Sequence, residues 1–193
     1  MREFILASQS PRRKQLLEWA EMNFEIIVQS TDESFPAELP MDQVPIHIAR
    51  EKAIAVSKHV QTAFHKQYAH MPILAADTIV VLNGRVIGKP TDKDDAIQIL
   101  QSLSGQSHQV ITGVVILHDQ AEIAFSDITE VKFHPLSLAQ ISNYVEKYQP
   151  YDKAGAYAIQ EWIGVVGIES IKGDFYNVMG LPVSRVVKAL EQL

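Results

Sequence analysis

The segment Ile73-Leu74-Ala75-Ala76-Asp77-Thr78-Ile79-Val80-Val81 constrains the fold of this chain more than any other. It is a near-continuous run of apolar and β-branched residues, which belongs in the middle of a sheet with cover on both faces. The expectation is a central strand, and the cover has to come from helices. A carboxylate inside such a run is costly unless it is paired, hydrogen-bonded or metal-bound, so Asp77 needs a reason to be there.

Strands and helices alternate before this run. Residues 4–7 predict a short buried strand, and Ser10-Pro11 follows with a preferred N-cap residue and then proline at the first helical position. Leu16, Leu17 and Ala20 give that helix an apolar face, after which Phe24, Ile26 and Val28 alternate as in a half-buried strand. Residues 29–43 form a polar, proline-containing connection, and a second helix is expected over about 45–60 on Ile48, Ala49, Ala53 and Val56. Residues 62–70 predict a helix end and loop.

After the central strand, Asn83-Gly84 is a hairpin signal, with residues 85–88 returning antiparallel. Thr91 is the expected cap of a helix carrying Ala96, Ile97, Leu100 and Leu103, and Gly105 stops it. Strands over 109–117 and 123–133 follow. Ser137 then caps a helix with Leu138, Ile141, Tyr144, Val145 and Tyr148 on one face, and Pro150 ends it. Residues 165–171 and 175–178 predict a last hairpin around Lys172-Gly173-Asp174, and Pro182 opens a helix with Val183, Val186, Val187 and Leu190 inward. No repeat, low-complexity tract or linker interrupts the pattern. Residues 1–193 read as a single α/β domain with a mixed sheet, because hairpins stand beside strand-helix-strand units.

Composition narrows the function. An apolar fraction of 47% with 21% charged residues is that of an ordinary folded protein. Seventeen basic against twenty-three acidic residues give a net charge of -6, the wrong sign for a partner of polymeric nucleic acid, so any phosphate affinity must be local. There is no cysteine, hence no disulfide, thiolate ligand or thiol nucleophile. The apolar run that ends at Ala7 is too short for a signal-peptide core or a membrane span, and a cytoplasmic protein without a membrane partner is expected. There is no Walker loop, dinucleotide fingerprint, His-Glu-x-x-His helix or Gly-x-Ser-x-Gly elbow, the seven histidines do not pair at ligand spacing, and His47, His59, His65 and His70 read as surface helix or loop residues.

Three groups of residues carry chemistry. In Ser8-Gln9-Ser10-Pro11-Arg12-Arg13, a strand runs into a helix start whose unpaired N–H groups favour an anion, and two guanidiniums add charge-assisted bonds. A capped helix with a solvated basic first turn would give the same residues, yet cations are disfavoured beside a helix N-terminus. Asp77 is the second; a strand-end cap would also explain it, but Asp32 and Glu33 lie on a flexible acidic connection and Mg²⁺ takes one or two carboxylates plus phosphate oxygens. Lys52, Lys89 and Lys153 form the third, each individually readable as a solvated lysine. Gly88 and Pro90 hold Lys89 in a more fixed place.

Together these pieces resemble the Maf family of nucleoside triphosphate pyrophosphatases. The resemblance rests on Leu6-Ala7-Ser8-Gln9-Ser10-Pro11-Arg12-Arg13, Ala49-Arg50-Glu51-Lys52-Ala53, Ala75-Ala76-Asp77-Thr78, Gly88-Lys89-Pro90, Leu103-Ser104-Gly105, Thr112-Gly113-Val114, the run from Asp152 to Gln160, and Met179-Gly180-Leu181-Pro182. It implies a two-lobed mixed twisted sheet flanked by helices, related to inosine triphosphate pyrophosphatases, with a nucleotide cleft between the lobes. It also implies cleavage of a nucleoside triphosphate between its α- and β-phosphates with a divalent cation, Mg²⁺ or Mn²⁺. Asp77 takes the role of proton acceptor, while Ser8, Arg13, Glu33, Lys52 and Lys89 fall at phosphate- or metal-handling positions and Ser10 lies in the same loop.

Within the family the run from Asp152 to Gln160 is similar to the branch acting on dTTP and UTP, and Arg12, Thr78 and Gln160 match its specificity positions. A glutamine amide offers both a donor and an acceptor to the edge of a uracil or thymine ring. Glu161-Trp162 departs from the family pattern, which more often has a small residue after Gln160. The family context adds homodimerisation and a link to septum formation and cell-division arrest. The alternatives are a nucleotide-binding regulator of septum formation with little catalysis, and a pyrophosphatase for another base such as N7-methyl-GTP.

Overall fold

The computed structural model of the chain describes residues 3–63 and 65–193, with the side chains of all of these except Ala63, His65 and Lys66. Its sheet has seven strands: β1 (Phe4–Leu6), β2 (Phe24–Ile26), β3 (Ile73–Leu82), β4 (Arg85–Ile87), β5 (Ser107–His118), β6 (Ala121–Phe133) and β7 (Ile168–Lys172). The order is β2-β1-β3-β5-β6-β7, with β4 paired to β3 off that path. β1 is parallel to β2 and β3, whereas β3–β4 and β6–β7 are antiparallel, so the sheet is mixed as expected. The helices are α1 (Pro11–Trp19), α2 (Val44–Ala63), α3 (His65–Tyr68), α4 (Lys93–Leu103), α5 (Leu138–Tyr148), α6 (Trp162–Gly167), α7 (Phe175–Met179) and α8 (Val183–Leu190). The expected helix end and loop over 62–70 is in part α3, while Phe64 and the surface placement of His65 lie outside the described residues.

The chain divides into two compact units. The first comprises residues through Asp77, Thr112–Asp127 and Gly180–Leu193. In it β1 lies between β2 and β3 because Phe4, Ile5 and Leu6 are buried on both sides, as a central strand requires. α2 presents Ala49, Ala53, Val56 and Val60 at helical spacing to Ile5, Ile73 and Ala75, and this cluster is the core of the unit. Ser10 caps α1, accepting from the Arg13 N–H, and Pro11 follows it. Arg185 of α8 donates to the Ser126 carbonyl and the Asp127 carboxylate, and its guanidinium lies over the Phe125 ring.

The second unit comprises Thr78–Ile111 and Ile128–Met179. Asn83 and Gly84 both adopt positive φ, 51° and 74°, which makes the β3–β4 connection the two-residue turn their sequence signals. α4 packs on α5, and α5 starts from a full capping box, Ser137 accepting from Gln140 N–H and the Gln140 side chain accepting from Ser137 N–H. Ile141, Tyr144 and Val145 of α5 are buried as expected; Leu138, on the first turn and beyond the reach of the core, is 58% exposed.

Two expectations give way to local hydrogen bonding. Asp92, not Thr91, caps α4: its carboxylate takes the Asp95 N–H, and Thr91 instead bonds Asp95. The last hairpin does not form. Residues 162–167 are helical, β7 pairs with β6, and Asp174 accepts the Tyr176 N–H to start α7 where a returning strand was expected. An aspartate side chain that satisfies a helix-start donor outweighs the strand propensity of Phe175, Tyr176 and Val178.

Candidate active site

The loop from Leu6 into α1 brings Ser8, Ser10 and Arg13 together. Ser8 is buried, its hydroxyl accepting from Ser10 N–H at 3.2 Å and from the Arg13 guanidinium at 3.1 Å. Arg13 Nε donates to the Gly180 carbonyl at 2.8 Å, so this guanidinium is folded inward and is 8% exposed. Burial pulls its pKa below the ordinary arginine range, partly offset by the negative charges of Asp77 and Glu33 and reinforced by Arg12. The cation at a helix N-terminus thus has its reason: it answers two carboxylates and bonds a carbonyl. Arg12, one residue earlier, is half-buried.

Asp77 sits mid-strand in β3 and is 9% exposed. Its Oδ1 accepts from Lys52 Nζ at 2.7 Å, and the same ammonium lies 2.7 Å from Glu33 Oε1. Lys52 projects from α2 with its side chain 17% exposed, so it is not the solvated lysine its sequence position suggests. Asp32 does not join the cluster, because its carboxylate accepts from the Ser34 N–H and hydroxyl, which pull its pKa down. Glu33, the next residue, reaches Lys52. Of the adjacent pair Asp32 and Glu33, the loop of 29–43 therefore delivers one carboxylate to the cluster and keeps the other for its own turn.

This arrangement bears on cation binding. Among the described residues no three His, Cys, Asp or Glu side chains converge. Two carboxylate oxygens do converge on one cationic point, held here by an ammonium. That is the number of protein oxygens Mg²⁺ takes when phosphate and water complete its shell, so the donor set fits a divalent ion.

The remaining sequence-predicted residues lie in the second unit. Thr78 follows Asp77 in β3 and is half-buried. Lys89 is exposed after β4, beside buried Pro90. Gln160 is exposed at the tip of a turn whose Glu161 N–H returns to the Ala158 carbonyl at 3.1 Å, while Ala156, Tyr157, Ala158 and Ile159 are all buried. Lys153, 9% exposed, donates to Asp152 at 2.8 Å and faces Glu161 at 3.7 Å. Sequence reasoning missed Tyr144 and Glu161 at this turn; the signal was a tyrosine on a buried helix face, whose hydroxyl needs a partner.

A family model described as Maf-like protein matches residues 3–193. A dTTP/UTP pyrophosphatase of Cytophaga hutchinsonii is 48% identical over 191 residues, 99% of this chain and 84% of the relative. Proteins of the same name from Halalkalibacterium halodurans and Bacteroides thetaiotaomicron are 47% and 44% identical, each over 99% of this chain and 96% of the relative. Among solved structures, the Staphylococcus aureus Ham1 protein aligns over 68% of this chain and 72% of its own at 13% identity, with a TM-score of 0.45. With its family model matched almost end to end and relatives this similar over 99% of this chain, the chain belongs to the Maf-like protein family.

Proposed function

We propose that this protein is a nucleoside triphosphate pyrophosphatase that hydrolyses dTTP and UTP to the monophosphate and diphosphate. The observation that carries this reading is the pair of carboxylates, Asp77 and Glu33, joined through Lys52 in the unit that also buries Arg13. The names of the relatives from Cytophaga, Halalkalibacterium and Bacteroides support the same substrates.

In the proposed reaction a water oxygen forms a bond to the α-phosphorus, the bond from that phosphorus to the bridging oxygen breaks, and diphosphate leaves. Asp77 takes the proton from the attacking water. Asp77 and Glu33 would hold the divalent ion, Mg²⁺ or Mn²⁺, which would withdraw charge from the phosphate oxygens. Arg13, Lys52 and Lys89 balance the charge that collects on the leaving diphosphate, the electrostatic role that phosphoryl transfer asks of a protein. Ser8 and Ser10 fix the Arg13 guanidinium and the start of α1. Arg12, Thr78 and Gln160 read the base. Residues 1–193 act as one catalytic domain, cytoplasmic and homodimeric, and among the described residues no helix is long and apolar enough to cross a membrane.

The test is incubation with dTTP, UTP, CTP and N7-methyl-GTP in Mg²⁺ or Mn²⁺, with separate assays for diphosphate and orthophosphate. Diphosphate and monophosphate from dTTP and UTP are expected. Orthophosphate with a nucleoside diphosphate would contradict the bond assigned, tight binding without product would favour the regulator of septum formation, and turnover of N7-methyl-GTP alone would overturn the base assignment.

A further inference from the structure

Gln160 is exposed at the tip of its turn, while Ala156, Tyr157, Ala158 and Ile159 before it are buried. One hydroxyl holds both ends of that turn. Tyr144 of α5 is fully buried; its oxygen accepts from the Ala158 N–H at 3.2 Å and its proton goes to the Glu161 carboxylate. Glu161 ties the turn onward: its other carboxylate oxygen faces Lys153 Nζ at 3.7 Å, and its carbonyl accepts from the Gly164 and Val165 N–H groups to begin α6. Burial first, and then the Glu161 carboxylate, push the Tyr144 pKa above the ordinary tyrosine range, so the hydroxyl keeps its proton as a donor. From the other side, a Cβ on Gly164 would run into the backbone carbonyl of Ile159. The turn is thus gripped by a side chain on one side and by backbone contact on the other.

We propose that Tyr144 and Glu161 are positioning residues for base selection: by fixing the Ala158–Glu161 turn they set where the Gln160 amide is presented, an inference that rests on the reading of Gln160 as a base-contacting residue. A glutamine has enough rotatable bonds to reach several orientations, and discrimination between a carbonyl and an amino group needs the amide held in one of them. Neither Tyr144 nor Glu161 touches the reacting atoms in this account.

The experiment measures kcat and KM for UTP and CTP in the wild type, Tyr144→Phe, Glu161→Gln, Gln160→Ala and the double variant Tyr144→Phe/Gln160→Ala, alongside hydrogen–deuterium exchange of residues 156–162 without nucleotide. Tyr144→Phe removes one oxygen and is expected to lower the UTP-to-CTP ratio of kcat/KM by about 5- to 10-fold, through KM for UTP, with kcat on CTP nearly unchanged. Glu161→Gln still accepts the Tyr144 proton and keeps most of the ratio. In the double variant Tyr144→Phe subtracts nothing further, because its effect passes through Gln160. Exchange in Tyr144→Phe accelerates more in 156–162 than in the rest of the chain, with a fall in melting temperature of the size expected for one lost buried hydrogen bond. If Tyr144→Phe does not fold, Glu161→Ala, at a half-buried position, removes the other end of the same bond and is read identically. Unchanged exchange, or equal loss on both nucleotides while Gln160→Ala changes the ratio, overturns the proposal. Faster exchange with a ratio that Gln160→Ala leaves untouched overturns instead the base-reading role of Gln160, and with it the selectivity assigned to Tyr144 and Glu161.

Discussion

The two units fix their polar groups by opposite means. In the first, Asp77, Lys52, Arg13 and Glu33 hold one another by charge, three of them on the regular elements β3, α2 and α1. In the second, Gln160 carries no charge, and its place is set by a tyrosine hydroxyl, a turn hydrogen bond and backbone contact at Gly164. A charge cluster on strands and helices tolerates small shape changes but not a change of charge state. A neutral side chain on a turn tolerates chemistry nearby but not movement of its backbone. The units should therefore fail differently when altered.

The largest effect is expected at Asp77. Asp77→Asn keeps the size of the side chain and a carbonyl oxygen for Lys52, so the fold should persist, with thermal unfolding lowered by the lost charge of the Lys52 pair. Loss of the proton acceptor should lower kcat by about 10²- to 10⁴-fold. A rate near wild type would remove Asp77 from the chemistry, and a collapse in stability would make it the structural strand residue that its sequence position also allows.

Gly164→Ala is the corresponding stroke against the second unit. The added methyl meets the Ile159 carbonyl, a backbone group with no rotamer to yield, so α6 or the turn has to shift. Destabilisation of about 3 kcal/mol is expected from urea unfolding, at the upper end for overpacking. A midpoint equal to wild type would show that the turn is not gripped as described.

A smaller effect distinguishes the units by pH. His108, 2% exposed and edge-on to Phe133 and Tyr157, contacts the Tyr157 hydroxyl at 2.7 Å, and burial lowers its pKa from 6.5 to about 4. The unfolded chain then binds a proton between these values and the folded chain does not. Stability from this group is complete above pH 6.5 and is lost as the pH falls toward 4, about 2 kcal/mol by pH 5. His108→Gln should flatten the wild-type slope of unfolding free energy between pH 7 and 5. Parallel slopes in the two proteins would mean that His108 is not held neutral.

Most of the framework was legible because it is periodic. The apolar run of β3, the Ser10-Pro11 helix start and the Asn83-Gly84 turn each announce themselves within a few residues, and the structure has them in place. The last hairpin was not legible, since strand propensity in Phe175, Tyr176 and Val178 competes with a single aspartate side-chain bond that only the folded turn at Asp174 reveals. Arg13 and Asp77 stood out as charges in the wrong surroundings. Lys52 did not, because a lysine on a helix is ordinary until the strand carboxylate opposite it is known, and that contact spans 25 residues. Tyr144 is missed for the same reason, as an ordinary tyrosine on an apolar helix face, and Glu161, which stands out beside Gln160, acquires a role only once the two meet.

The smallest effect is the sharpest test of the second unit. If the Gln160 amide reads the pyrimidine edge, UTP and dTTP should be preferred to CTP, since cytosine exchanges a carbonyl acceptor and a ring donor for an amino donor and a ring acceptor. Mispaired polar groups in a desolvated site cost about 1 to 3 kcal/mol each, and loss of one amide contact should shrink the UTP-to-CTP ratio about 10-fold. Gln160→Ala should do this while slowing the better substrate far less than Asp77→Asn does, because Gln160 is exposed and belongs to no ion pair in the charge cluster. The measurement is kcat/KM on each nucleotide in parallel. A uniform loss on all of them would move Gln160 into the phosphate machinery, and the turn that holds it would then serve the chemistry and not the choice of base.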